Sequence, residues 1–143
     1  IYIPLLNELF YAIKNNGAYL NGKRIKVSKK RKGFLIGTGF PFRRRECWDL
    51  YYRKFKEVFE SSDDLRRPGS ASQDLAYVAC GRYDGFFEFG LSPWDIFAGV
   101  LLVEEAGGKT SDMEGKRNHL KTGNIIAGNT YAYSLLLKIF KNK

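Results

Sequence analysis

Residues 91 to 108, LSPWDIFAGVLLVEEAGG, decide the fold of the surrounding chain. The stretch opens on Ser92 and Pro93, continues through a mostly apolar run and ends on a glycine pair. A helix with proline at its first position and glycine after its last turn has this pattern. Asp95 follows Ser92 by three residues, which matches the S-x-x-[DE] capping box. Spacing alone therefore favours a capping role for Asp95.

The chain before this helix predicts an antiparallel ribbon, a strand and two helices. Two Asn-Gly dipeptides at 16–17 and 21–22 favour tight turns within a ribbon from about residue 8 to 27. GFLIGTGF, residues 33–40, predicts a buried strand. A helix over 46–60 has an apolar side at helical spacing (Trp48, Tyr51, Tyr52, Phe55, Val58, Phe59) and an opposite side with Arg53, Lys54, Lys56 and Glu57. Ser70 is the predicted N-cap of the next helix, which Gly81 ends.

The remaining elements complete an alternating pattern. Asp84-Gly85 predicts a turn into a short strand, GNIIAGN at 123–129 a short buried strand, and TYAYSLLLKIF at 130–140 a closing helix. Helices that alternate with strands indicate an α/β or mixed α+β protein built in layers.

Composition places the chain among compact proteins and excludes several kinds of site. The 143 residues are 44% hydrophobic and 27% charged, enough apolar material for one domain. No apolar run approaches the roughly 18 residues of a membrane span, and the first residues lack a signal-peptide pattern, so we expect a cytoplasmic protein without membrane contact. Cys47 and Cys80 fit reduced structural thiols, and the single histidine, His119, argues against histidine-based nucleophilic catalysis.

The net charge of +9 is concentrated in two places. Residues 23–32, KRIKVSKKRK, carry seven lysines or arginines, and RRR follows at 43–45. These runs fit either a solvated surface or a surface that attracts polyanions such as nucleic acid. The pattern leaves both interpretations open.

Two acids and a helix start are the candidate site residues. Glu88 ends a predicted strand and Asp95 opens the next helix, while Gly69, Ser70 and Ala71 open another helix. Free N–H groups at a helix start can face an oxyanion or hydroxyl, and magnesium selects carboxylate oxygens and substrate phosphate. The grouping indicates a site for a hard cation with a polyol or phosphate.

The same residues resemble a known family. PWDIFAGVLLVEEAGG, together with RRPGSASQDLAYVACGRYDGFFEFGL, resembles the C-terminal signature of the inositol monophosphatase family. NELFYAIKNNGAYLNGKRIKVS, GTGFPFRR and LKTGNIIAGN are similar to its bacterial members of the SuhB type. The resemblance covers essentially all 143 residues. It implies that residues 1–143 are one C-terminal portion of an αβαβα domain whose N-terminal half is absent.

The resemblance also implies roles and a reaction. Asp95 matches a catalytic aspartate that binds Mg²⁺, Glu88 a glutamate that holds a polyol hydroxyl, and Gly69, Ser70 and Ala71 substrate-lining residues. A magnesium-dependent, lithium-sensitive phosphatase of inositol phosphate or sugar phosphate is expected, as a homodimer at full length. The family's D-P-[IL]-D-G-T motif and a further metal-binding glutamate are absent and would precede residue 1. We therefore expect this chain to be inactive alone.

The SuhB-type resemblance carries a second interpretation of a different class. Proteins of this type resemble transcription and ribosomal RNA processing factors as well as enzymes. On that interpretation the chain acts by binding the transcription machinery or RNA, and the basic runs at 23–32 and 43–45 supply the contact.

Overall fold

The first of two β-sheets is antiparallel and is formed by the beginning of the chain. The computed structural model describes residues 1–142. The sheet has the strand order β1-β2-β3-β4, comprising β1 (Tyr2–Ile3), β2 (Glu8–Ile13), β3 (Gly17–Leu20) and β4 (Lys23–Ile25). Positive φ angles at Asn15 and Asn21 close the two hairpins. The predicted ribbon is confirmed.

The second sheet is mixed. Its order is β6-β5-β7-β9-β8, formed by β5 (Leu35–Thr38), β6 (Asp64–Arg66), β7 (Gly85–Glu88), β8 (Lys109–Ser111) and β9 (Ile125–Gly128). Strands β6, β5 and β7 run parallel, and β9 runs antiparallel to both β7 and β8. Adjacent residues such as Phe86 and Phe87 are both fully buried, so both faces of this sheet are covered.

Five helices fill and cover the sheets: α1 (Trp48–Ser61), α2 (Ala71–Ala79), α3 (Pro93–Glu105), α4 (His119–Thr122) and α5 (Thr130–Lys141). Helices α2 and α3 pack together between the sheets, through fully buried side chains such as Leu75 and Ile96. Helices α1 and α5 cover the other face of the second sheet. The layers are sheet, helices, sheet, helices, so the predicted layered α/β class is confirmed.

Helix α1 differs from its sequence pattern. Lys54, predicted on the solvent side, is buried, and its ammonium group donates to Glu57 Oε1 (3.0 Å) and to the carbonyl oxygens of Ile139 (2.9 Å) and Asn142 (2.7 Å). Tyr52 and Phe59, predicted on the apolar side, are more than half exposed. The helix was predicted correctly, but the assignment of its buried and exposed sides was wrong for these three residues. Only a narrow stripe of this aromatic helix contacts neighbouring elements.

Several smaller features complete the fold. The edge strand β6 lies in SSDDLRRP, where the sequence pattern predicted no strand. Both cysteines are free thiols. Across residues 1–142, no helix combines the length and hydropathy needed to cross a membrane.

Candidate active site

The segments that follow three parallel strands form the candidate site. Strand β6 leads into residues 67–71, β5 into 39–45, and β7 ends at Glu88 just before α3. The carboxyl ends of parallel strands meet at one edge of a sheet, where ligands bind in open α/β sheets. The fold therefore brings together segments that lie up to about 55 residues apart in the chain.

A cavity of about 270 Å³ opens at this edge. Its walls include all five residues that the sequence singled out, Gly69, Ser70, Ala71, Glu88 and Asp95. The remaining lining residues are Gly39, Phe40, Phe42, Arg43, Arg67, Ser72, Phe89, Gly90 and Leu91. The structure thus joins the predicted residues around one space.

Asp95 is held in place by the first turn of its own helix. The backbone N–H of Ser92 donates to Asp95 Oδ2 (2.9 Å), and the capping box predicted from the sequence is present. Arg43 Nη1 donates to the same oxygen (3.1 Å) and to Ser92 Oγ (3.2 Å). Asp95 Oδ1 accepts no hydrogen bond from residues 1–142. One carboxylate oxygen is fixed while the other stays free to face a ligand.

Glu88 lies in a more apolar environment. Burial, strengthened by the nearby Asp74 carboxyl, raises the pKa of Glu88 to about 8, although Arg67 opposes the shift. A Cβ atom at position 39 would overlap the Glu88 carboxyl group, so any other residue there would force this carboxyl group to move. At neutral pH Glu88 is therefore mostly protonated, and can both donate to and accept from a hydroxyl group.

The start of α2 forms another wall. Ser70 is the N-cap, as predicted, and its side-chain oxygen accepts from the Gln73 N–H at 3.5 Å. Gly69 has a φ of +97°, a conformation that favours glycine. Ala71, the first residue of α2, is buried.

Two arginines of the cavity wall were not predicted as site residues. Arg43 belongs to the RRR run, for which the sequence left a solvated surface and polyanion contact open, and Arg67 belongs to RRPG before the predicted helix. Arg43 follows β5, which the sequence predicted, and Arg67 follows β6, which it did not. The local sequence pattern gave no indication that either arginine would lie near Asp95 or Glu88.

A third acid lies close by in the core. Asp74 on α2 is 1% exposed, and neither of its carboxylate oxygens has a hydrogen-bond partner within the described chain. Burial raises its pKa to about 7, although Arg67 opposes the shift. Sequence reasoning missed it because an acid in a first helical turn normally faces solvent.

The donor set fits part of a magnesium site. Asp95 lines the cavity and its Oδ2 takes the hydrogen bonds, so Oδ1 is a hard carboxylate oxygen of the kind that Mg²⁺ prefers. Within residues 1–142, however, no group of three or more acidic, histidine or cysteine side chains is arranged to hold a metal. Mg²⁺ uses about six ligands, so Asp95 would be one ligand among several.

Comparison with known proteins gives a consistent match. The sequence model of the inositol monophosphatase family matches residues 1–143. The Nus factor SuhB of Escherichia coli K12 is 49% identical over 139 residues, which are 96% of this chain and 52% of that protein. The Nus factor SuhB of Pseudomonas aeruginosa is 50% identical over 138 residues, 94% of this chain and 51% of that protein.

Solved structures agree. The extragenic suppressor protein SuhB from Bartonella henselae superimposes with a TM-score of 0.94 at 40% identity, covering 99% of this chain and 55% of that one. The inositol monophosphatase from Anabaena gives 0.91 at 42% identity, covering 97% and 58%. The chain spans about half the length of the curated relatives it matches.

Proposed function

Because the chain belongs to the inositol monophosphatase family, we propose that the full-length protein is a magnesium-dependent phosphomonoesterase acting on inositol monophosphate or a related sugar phosphate. The observation that carries this proposal is the meeting of Asp95, Glu88 and residues 69–71 around one cavity. A metal-binding carboxylate, a hydroxyl-binding acid and a helix start are among the parts that metal-assisted hydrolysis of a polyol phosphate uses.

Each residue has a distinct task in this proposal. Asp95 would hold Mg²⁺, and its capping bond to Ser92 fixes the orientation of the carboxylate. Magnesium, when bound, activates water and neutralises charge on the phosphate. Glu88, mostly protonated at neutral pH, exchanges hydrogen bonds with a hydroxyl of the polyol. Ser70 and the neighbouring N–H groups position the remaining polar groups of the substrate.

We also propose that the chain is the C-terminal part of a longer domain. It offers one metal-binding carboxylate at the cavity where several are needed, and its relatives are about twice as long. The outward face of the first sheet exposes Leu9 (47%), Tyr11 (39%) and Ile13 (53%), a row that a further layer would cover. Residues 1–142 form four layers, and the family resemblance implies five.

The direct experiment compares three preparations for phosphate release from inositol 1-phosphate. We expect Mg²⁺-dependent turnover from the full-length protein, none from residues 1–143 alone, and recovery when this chain is mixed with a separately made N-terminal half. Magnesium-dependent turnover by the 143-residue chain alone would show that the catalytic residues were wrongly located. Absence of turnover by the full-length protein on any polyol phosphate would reject the enzymatic proposal.

A second candidate function is binding within the transcription machinery. The relatives at 49% identity are named Nus factor SuhB, and all seven basic residues of 23–32 are exposed. Only Lys30 among them forms an ion pair within the described residues, with Asp84 at 3.7 Å. Such a surface suits RNA phosphates.

The two candidates separate experimentally. In the full-length protein, Asp95→Asn should abolish turnover and leave RNA binding in a gel mobility-shift assay intact. The double variant Lys29→Glu with Lys32→Glu should abolish RNA binding and leave turnover intact. RNA binding that is equal in the wild type and the double variant would reject the basic run as the contact. Lithium sensitivity, a homodimer at full length and a cytoplasmic location stay predictions.

A further inference from the structure

The basic run at 23–32 contains no aromatic residue of its own, but the fold brings one to it. The guanidinium carbon of Arg31 lies over the ring of Tyr131, 5.3 Å from the ring centroid. Tyr131 belongs to the first turn of α5, at the far end of the chain, and is 43% exposed, and Arg31 is exposed as well. A planar cation on an aromatic ring therefore lies at the surface within the basic run.

Asn129 fixes this arrangement from inside the protein. It is 2% exposed, and its side-chain nitrogen donates to Ser28 Oγ (2.7 Å) and to the carbonyl oxygen of Lys30 (3.1 Å). Its side-chain oxygen accepts from the backbone N–H groups of Tyr131 and Ala132, both at 2.9 Å. One buried side chain therefore joins the basic run to the start of α5.

The basic run is held at a second point. Asp84 is buried and accepts from Ser28 Oγ and from the backbone N–H of Leu35 (2.8 Å). The same carboxylate pairs with Lys30 at 3.7 Å. The segment that carries Arg31 is therefore tied to the core on both sides, which reduces the entropy lost when a ligand binds.

The lysines and the stacked pair suit different parts of a nucleic acid. Lys29 and Lys32 are exposed on either side of Arg31 and attract phosphates, which single strands and duplexes both present. A tyrosine ring or a guanidinium plane instead offers a surface to an unpaired base. The bases of a duplex are stacked on each other and paired, so they cannot reach such a surface. The combination therefore fits single-stranded RNA better than duplex RNA.

We propose that Arg31 and Tyr131 form a base-stacking site for single-stranded RNA, in which one base extends the stack of guanidinium and ring while neighbouring lysines contact the phosphates. This inference rests on the second candidate function, because it specifies the form of RNA that the basic run binds. The first turn of α5 contains no acidic residue, so no carboxylate of that turn repels the RNA backbone. Stacking is tolerant of base identity, so the site accepts any base.

The test measures binding of three fluorescein-labelled probes to the full-length protein by fluorescence anisotropy. The probes are a short single-stranded oligouridine RNA, a duplex RNA of the same length, and heparin, which is a polyanion without bases. Tyr131→Ala should weaken oligouridine binding about five- to a hundredfold and leave the affinities for duplex RNA and heparin unchanged. The salt dependence of binding should also stay unchanged, because this variant removes no charge.

Three further variants separate the stacked ring from other effects. Tyr131→Phe should bind all probes like the wild type, because it keeps the ring. Arg31→Gln should weaken binding of every probe, because it removes a charge, and of oligouridine most. Tyr52→Ala removes another exposed tyrosine, on α1, and should change nothing. Alanine at 131 keeps the backbone N–H that Asn129 caps, so the start of α5 is retained.

The outcomes distinguish this inference from the function on which it rests. If Lys29→Glu with Lys32→Glu abolishes oligouridine binding while Tyr131→Ala binds like the wild type, the stacking site is wrong and the basic contact stands. Equal losses on all three probes in Tyr131→Ala would also overturn the stacking site. A wild type that binds no RNA would reject the second candidate function and this inference with it.

Discussion

Asp95→Asn separates a structural role of this side chain from a chemical one. Asparagine keeps an oxygen that accepts the Ser92 N–H, now 2.9 Å from Asp95 Oδ2, and loses the negative charge. The change therefore preserves much of the helix cap while weakening the proposed metal ligand.

The stability cost follows from two exposed interactions. The ion pair with Arg43 joins side chains that are 28% and 64% exposed, so its loss costs about 0–1 kcal/mol. Removing a charge from the first turn of α3 costs about 0.3–1 kcal/mol. The total stays below about 2 kcal/mol, or a fall in Tm of roughly 6 °C or less in a chain of 143 residues.

Turnover should fall much further. Loss of a charged ligand from a metal site should lower kcat on inositol 1-phosphate by at least about a hundredfold in the full-length protein. Asp49→Asn is the matched control, because Asp49 is the first-turn acid of α1 and lies outside the cavity. Scanning calorimetry is run on residues 1–143, to which the Tm shift applies, and phosphate release is measured on the full-length protein. Turnover within a factor of three of wild type would refute the metal assignment, and a Tm fall above about 10 °C would refute the stability reasoning.

Three further changes test the surroundings of Asp95. In the full-length protein, Glu88→Gln should alter the ranking of kcat/KM among inositol and sugar phosphates, and an equal loss that includes an aryl phosphate would contradict its role. Gly39→Ala should displace the Glu88 carboxyl group and raise KM for polyol phosphates more than for the aryl phosphate. Identical KM values in the wild type and the variant would argue against close contact between position 39 and the Glu88 carboxyl group. The pKa of Asp74 is raised from an ordinary 3.8 to about 7, so the folded state binds the Asp74 proton more tightly than the unfolded state does. The stabilisation by this proton is therefore present below pH about 4 and is lost as the pH rises through 7. In this chain Asp74→Asn should remove part of this pH-dependent loss of unfolding free energy, at most about 4 kcal/mol. Denaturant titrations in which the unfolding free energy depends on pH equally in both proteins would contradict this expectation.

Local sequence signals predicted the parts of the fold that depend on local chemistry. Ser92, Pro93 and Asp95 specified the start of α3, and Ser70 the start of α2, because caps act through atoms within one helical turn. The five cavity residues were grouped from their places at a strand end and two helix starts, and the family resemblance assigned their roles. The parallel strands bring these residues together.

Long-range contacts were beyond this reasoning. The bond between Arg43 and Asp95 joins residues 52 apart, and the seat of Arg67 on Phe40 and Phe42 depends on the pairing of β5 with β6. The buried Asp74 contradicts the usual exposure of an acid in a first turn. Such positions follow from how the layers stack, which no periodicity in one segment encodes.

The buried Lys54 has a practical consequence for handling the protein. Its ammonium group is satisfied partly by the carbonyl oxygens of Ile139 and Asn142, at the end of α5. Deleting Ile139 to Asn142 by gene design would strip acceptors from a cation that has little water around it. Such a deletion should loosen the packing of α1 against α5 before it affects the cavity, so variants are better designed with this segment intact.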